Sequence, residues 1–222
     1  MSNKLTVAIP THSMADGDYF FKRLLDSLWN QTFQDFEIVV TDNSDDDVIK
    51  DICEFYKTGI NYFRNPRKGM AQNTNEAIKQ SKGELIKILY LDDYLSNDWV
   101  LESIVDKFKG HWLVTACRHT TDGENFFDTH IPKYSADIHT GNNTIGSPSV
   151  LTIKNENPLL FDEEMTWLLD CDYYKRMYDL YGEPVIIKRV CTFIGIHDGQ
   201  ATVLMGDDKK AREYEYIQHK YV

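Results

Sequence analysis

Apolar and polar positions alternate in blocks along the first half of the chain. Residues 5–10 are a short apolar run closed by Pro10, and the pattern predicts a buried strand. Past a polar loop, Phe21, Leu24, Leu25 and Leu28 recur at helical spacing. Residues 36–41 predict a second strand, the turn Asp42-Asn43-Ser44-Asp45 supplies capping chemistry, and Val48, Ile49, Ile52 and Phe55 mark a second helix. Residues 60–63 predict a third strand, 64–69 a loop and 70–80 a helix, with Gly83 expected to end that helix in the left-handed conformation. Residues 85–91 predict a fourth strand stopped by Asp92-Asp93, and Asn97-Asp98 caps a helix carrying Leu101, Ile104, Val105 and Phe108.

Such regular alternation implies an α/β fold with a largely parallel sheet. In open sheets of this kind ligands bind beyond the carboxyl ends of the strands. Chemistry is therefore expected at Thr11-His12, Asp42-Asn43, Arg64-Asn65 and Asp92-Asp93. The second half is less regular. Strands are expected at 112–117, 150–153 and 185–187, a long polar loop at about 119–146, and a helix at 165–181. The charge-mixed tail from Asp207 reads as a helix, its acids Glu213 and Glu215 as solvated surface. No repeat or linker divides the chain, so one domain over 1–222 is expected, with halves meeting near residue 110 and a tail at 205–222.

Composition narrows the function. The chain of 222 residues carries a net charge of −11, which disfavours a protein that grips nucleic acid by neutralising phosphates. Hydrophobic residues make up 42% of it, enough for a packed core. Cys53, Cys117, Cys171 and Cys191 lie far apart, without the paired spacing of a structural zinc site. No stretch approaches the roughly 20 apolar residues that span a bilayer, and the start lacks a signal-peptide pattern. A cytoplasmic protein without a transmembrane segment is expected.

Several polar groups could carry chemistry. Asp92-Asp93, closing an apolar strand, could hold a hard divalent cation or simply form a turn. Asp42 could accept a ring N–H from a nucleotide base or cap the next helix. Gly69 opens a helix preceded by Arg64, Arg67 and Lys68, groups that favour phosphate as readily as they make a solvated basic loop. Asp170 and Asp172 lie among large apolar residues, where a raised pKa suits a general base, or where acids favour a helix N-terminus. His197, in Gly195-Ile196-His197-Asp198-Gly199, could be a late metal or phosphate ligand or incidental. His12 lies in a loop expected to line a pocket.

Taken together these stretches resemble the GT-A glycosyltransferases of family two, inverting nucleotide-sugar transferases. The resemblance covers roughly residues 4–200. It rests on Val7-Ala8-Ile9-Pro10-Thr11, on Ser27-Leu28-Trp29-Asn30-Gln31, and on Phe36-Glu37-Ile38-Val39-Val40-Thr41-Asp42-Asn43-Ser44-Asp45-Asp46. Gly69-Met70-Ala71-Gln72-Asn73-Thr74-Asn75-Glu76-Ala77 and Lys82-Gly83-Glu84-Leu85-Ile86 continue it in order. It implies the GT-A fold, a Rossmann-like doubly wound, mostly parallel sheet flanked by helices.

The resemblance also implies roles. Pro10, Thr11 and Asp42 would line the base and ribose pocket, Arg64 and Gly69 would lie near the nucleotide, and Asn75 would support the wall. Asp93 would bind Mn2+ or Mg2+, Asp92 would contact ribose or donor sugar, and His197 would join the metal or diphosphate. Asp170 would be the catalytic base. Two departures stand out: Tyr90 occupies the place of the first acid in the family's L-D-x-D-D pattern, and Leu169-Asp170 replaces its E-D element, which leaves Asp172 as a rival base. The implied partners are a nucleotide-sugar donor, a UDP-sugar favoured, and a glycan or lipid-linked acceptor reached by peripheral association with a membrane. A sugar nucleotidyltransferase and a non-catalytic nucleotide-sugar binding module are the competing readings.

Overall fold

The computed structural model describes residues 4–56 and 59–221. The expected alternation is present: β1 (Leu5–Thr11), α1 (Gly17–Trp29), β2 (Phe36–Asp42), α2 (Val48–Tyr56), β3 (Ile60–Arg64), α3 (Met70–Gln80) and β4 (Leu85–Ile88). There follow β5 (Tyr94–Leu95), α4 (Val100–Lys107), β6 (Trp112–Thr120), β7 (Phe127–His130), β8 (Leu151–Lys154), α5 (Leu169–Tyr181), β9 (Val185–Gly195), α6 (Ala201–Leu204) and α7 (Asp207–Lys220). Among the described residues the strands form one sheet in the order β3-β2-β1-β4-β8-β6-β9-β5, with β7 on β6. The β3-β2-β1-β4 part is parallel throughout. Beyond it, β8 runs antiparallel to β4 and β6, and β6 is parallel to β9.

Period-two alternation in β1 divides the core. Leu5, Val7 and Ile9 face one layer with Phe21, Leu24, Leu25 and Leu28 of α1, Ile49 and Ile52 of α2, and Leu101 and Ile104 of α4. Ala8 faces the other layer with Ala71, Ala77 and Ile78 of α3, and with Tyr173, Tyr174 and Met177 of α5. The chain builds outward from β1 to β3, then returns through α3 to place β4 on the other side of β1. That reversal opens a crevice at the carboxyl ends of β1 and β4, where ligands of such sheets bind.

The departures from expectation have local causes. Gly83 does not adopt a left-handed cap, and Ser81 ends α3 in extended conformation. Glycine is required at 83 because a Cβ there would stand 2.6 Å from the Leu5 carbonyl carbon and Thr6 nitrogen. The fourth strand stops at Ile88, because the Tyr90 N–H leaves the ladder to donate to Ser149 Oγ at 2.8 Å. Val48 and Phe55 lie on the exposed side of α2, so only Ile49 and Ile52 of that quartet are core. The long polar segment is not structureless: it carries β7 and a turn of 3-10 helix at Ile138–Thr140. Helix α5 starts at Leu169, later than the apolar pattern suggests.

Candidate functional site

A cleft of about 720 Å³ opens at the switch in strand order. Of the expected residues it is lined by Pro10, Thr11, Gly69, Asp92, Asp93, Asp170 and His197, while Asp42, Arg64, Asn75 and Asp172 lie behind its walls. Asn73 of α3 draws the strand ends together: its Nδ2 donates to the Thr11 and Thr41 carbonyls, each at 2.9 Å. Gly69 precedes α3 at φ 132°, a backbone conformation that residues with a side chain rarely adopt, which favours glycine where this helix meets the cleft.

Asp42 is fully buried, and its acceptor capacity is spent within the protein. Its carboxylate takes the Ser44 N–H at 2.8 Å, the Ser44 hydroxyl and the Tyr62 hydroxyl at 2.7 Å, with Arg64 Nη1 at 3.3 Å. Arg64 also donates to the Ser44 carbonyl at 2.7 Å and to Asp47 at 2.6 Å. Both residues therefore shape the Asn43–Ser44 wall rather than face the cleft. Capping of α2 falls to Asp46, which accepts the Val48 N–H at 3.1 Å. Asn75 exchanges two hydrogen bonds with the Phe161 backbone, at 2.9 and 2.7 Å, stitching α3 to the segment before α5.

The adjacent acids diverge because consecutive residues of a turn point in different directions. Asp92 turns its carboxylate toward the cleft, 3.1 Å from His197 Nε2. Asp93 turns inward, with Oδ1 accepting the Gly195 N–H at 2.9 Å. Burial, reinforced by the Asp92 charge, holds the Asp93 carboxyl well above the usual carboxylate range. Asp92 thus presents its carboxylate to the cleft, while Asp93, also at the cleft wall, already has Oδ1 engaged by the Gly195 N–H. Gly195 is indispensable here, since a Cβ on it would stand 2.5 Å from the Asp92 carbonyl oxygen. Arg23 of α1 donates to that carbonyl at 2.8 Å and fixes the turn from the other side.

His197 accepts the Gly199 N–H on Nδ1 at 3.1 Å, which leaves the ring proton on Nε2, aimed at Asp92. In this arrangement the imidazole orients Asp92, and ligation through Nε2 would require the Gly199 contact to be given up. Among the described residues no three His, Cys, Asp or Glu side chains form a ready cation cage. One or two carboxylates opening on a cleft nonetheless suit Mg2+ or Mn2+, which take their remaining ligands from substrate phosphates and water. The donor set fits such a cation, with the Asp92 carboxylate open to the cleft.

Across the cleft, Asp170 stands at the start of α5. Burial pushes its carboxyl up to about 6, within reach of neutral pH. Asn143 Nδ2 donates to its Oδ2 at 2.7 Å. Asn143 is itself locked, its Oδ1 accepting the N–H groups of Ile145 at 3.1 Å and Gly146 at 2.8 Å. Asp172 faces the opposite way. It is fully buried and holds Arg176 Nε at 2.8 Å, Lys220 Nζ at 2.8 Å and the Tyr221 hydroxyl at 2.6 Å. Asn73, Asn143 and Gly195 escaped sequence reasoning. Asn73 alone carried a signal, inside the Asn73-x-Asn75 pattern.

Comparison with known proteins identifies the family and the fold. The sequence model of the family described as "Glycosyl transferase family 2" matches residues 6–177. Chondroitin synthase from Escherichia coli is 23% identical over 96% of this chain and 32% of its own length. The crystal structure of Staphylococcus aureus TarS 1-349 in complex with UDP-GlcNAc superposes with a TM-score of 0.67 at 18% identity, over 91% of this chain and 61% of that one. Mannosyltransferase PcManGT from Pyrobaculum calidifontis, in complex with GDP-Man and Mn2+, gives 0.64 at 16% identity, over 99% and 64%. At these identities the solved structures establish a shared GT-A fold. The chain spans a third or less of the first curated relatives it matches.

Proposed function

The chain belongs to glycosyl transferase family 2, and on that premise we propose that it moves a sugar from a nucleotide-diphosphate sugar to an acceptor hydroxyl with inversion. The observation that carries this reading is the placement of the Asp92–His197 pair and of Asp170 on one cleft at the sheet's switch point. Residues from about 1–110 supply the donor side, and those from about 111–200 supply the acceptor side, with 205–222 as a helical tail. Thr11 and the Asn43–Ser44 wall that Asp42 and Arg64 shape would receive the base and ribose. Gly69, at the amino end of α3, would approach the diphosphate, where helix dipole and backbone N–H groups favour anions.

Asp92 would hold Mn2+ or Mg2+, with His197 fixing the carboxylate's direction and Asp93 anchoring the turn from behind. Such a cation supplies the positive charge that makes a nucleoside diphosphate a competent leaving group. Asp170 would take the proton of the acceptor hydroxyl as that oxygen attacks the anomeric carbon from the face opposite the leaving diphosphate. A carboxyl with a pKa near 6 is ionised at neutral pH and basic enough to assist. Asp172, committed to Arg176, Lys220 and Tyr221, is not the base. One displacement inverts the configuration.

UDP is the favoured nucleotide, supported by the UDP-GlcNAc bound in TarS, and Mn2+ by its presence with GDP-Man in the mannosyltransferase. The acceptor would be a glycan or lipid-linked sugar, the latter reached by peripheral association. Among the described residues no helix is long and apolar enough to cross a membrane. All four cysteines are buried and unpaired, which supports a reducing, cytoplasmic setting. A thermal-shift panel of UDP-, dTDP- and GDP-sugars, with and without Mn2+, tests the reading. A metal-dependent rise in Tm with one nucleotide class is expected, and no response to any donor would overturn it.

A further inference from the structure

Helix α7 lies outside residues 6–177, the stretch shared with the family, yet it reaches the active-site wall. Its Glu213, which the charge pattern places on the solvated surface, is partly buried and fully engaged. Oε1 accepts the Thr166 N–H at 2.8 Å, and Oε2 accepts those of Trp167 at 2.7 Å and Leu168 at 3.0 Å. Thr166 and Trp167 line the cleft, and the base follows two residues after Leu168. Helix α5 lacks a cap of its own, because the residue at that position, Leu168, has no side chain that can accept a hydrogen bond. One carboxylate from a distant helix thus satisfies three consecutive N–H groups at the entry to α5.

The position of Glu213 is itself fixed. Ile217 of α7 is fully buried in the layer beneath α5. Lys220 bridges Asp162 at 2.6 Å and Asp172 at 2.8 Å. The hydroxyls of Tyr216 and Tyr221 reach the same two acids, at 3.0 and 2.6 Å. Asp162 and Asp172 flank the 166–168 segment in sequence, so α7 grips it from both sides. Asp172 thereby acquires a role other than that of base: it anchors α7.

We propose that Glu213 is a positioning residue for glycosyl transfer, holding residues 166–168 so that Asp170 faces the acceptor side of the cleft. The inference rests on Asp170 serving as the base. The test compares wild type, Glu213→Ala and Glu213→Gln, each in the full chain. Hydrogen exchange of the amides of residues 166–168 is expected to quicken about tenfold or more in the alanine variant, while that of β1 stays unchanged. With whichever of UDP-GlcNAc, UDP-GalNAc, UDP-glucose or UDP-glucuronate the wild type turns over, kcat is expected to fall about tenfold while the Kd for UDP with Mn2+ stays within about twofold. Glutamine, which keeps an acceptor oxygen, should restore part of kcat; a melting temperature close to wild type in that variant separates positioning from unfolding.

Unchanged exchange at 166–168, or an unchanged kcat in Glu213→Ala, would overturn the proposal while leaving the glycosyltransferase reading intact. A matching loss of UDP affinity would also overturn it, showing a general structural role instead. A wild type that turns over none of the four donors would sink the donor reading and the positioning role with it.

Discussion

Replacing Asp170 with asparagine should abolish transfer and stabilise the fold. The carboxyl is pushed up to about 6 by burial, against an ordinary 3.8. At about 1.4 kcal/mol per pH unit, keeping it ionised at neutral pH costs the folded state up to ~3 kcal/mol. Asp170 borders an open cleft, so solvent screening reduces that cost to ~2 kcal/mol. Asparagine can still accept from Asn143, but it forfeits one acceptor and with it the Cys171 N–H bond of 2.7 Å, a loss of ~1 kcal/mol. A net gain of ~1 kcal/mol remains, or a Tm about 2–4 °C higher for a chain of this size.

The sign with pH is specific. A carboxyl whose pKa is raised on folding is penalised in full above about pH 6, progressively less as pH falls, and not at all below its unfolded value. The advantage of Asp170→Asn should therefore be present at pH 7–8 and gone near pH 4, where the folded carboxyl is neutral and the unfolded one is only about half ionised. Paired thermal melts across that range, with turnover measured on the same samples, read it directly. A variant less stable than wild type at pH 8, or equally stabilised at pH 4 and pH 8, would refute the claim that Asp170 is held ionised at a cost.

Two further expectations concern its surroundings and the sheet. Asn143→Ala removes the donor that favours the charged Asp170, so the acidic limb of kcat/KM should move to higher pH and kcat should fall about tenfold; a limb that stays in place in a pH–rate profile would contradict this. Gly83→Ala should cost ~2–3 kcal/mol in urea unfolding, since its Cβ would stand 2.6 Å from the β1 backbone, and a loss under about 0.5 kcal/mol would show that contact to be relaxed without effort.

Much of this was legible in the sequence because its signals are local. Alternation in Leu5–Thr11 and the spacing of Phe21, Leu24, Leu25 and Leu28 name a strand and a helix without any knowledge of partners. Strand ends name the cleft, and Thr11, Asn43 and Asp92 lie on it as that logic requires, while Asp170 is marked by its apolar surroundings and by the family resemblance. What was not legible depends on side-chain direction and long-range contact. Adjacent Asp92 and Asp93 are equivalent as letters, and only the docking of Gly195 turns one inward. Asp42 offers a free carboxylate until Tyr62 and Arg64 close over it. Asn143 sits in a polar segment with no period to betray it, and Glu213 reads as surface because the N–H groups it satisfies lie far upstream in the chain.

Donor binding is expected to depend on a cation carried by Asp92. Calorimetric titration of UDP into the wild type and Asp92→Ala, with and without Mn2+, tests it most directly. The wild type should bind UDP about tenfold or more tightly with Mn2+, and Asp92→Ala should show the same weak affinity in both conditions. A wild type indifferent to Mn2+, or an Asp92→Ala variant that keeps the full metal response, would contradict the account.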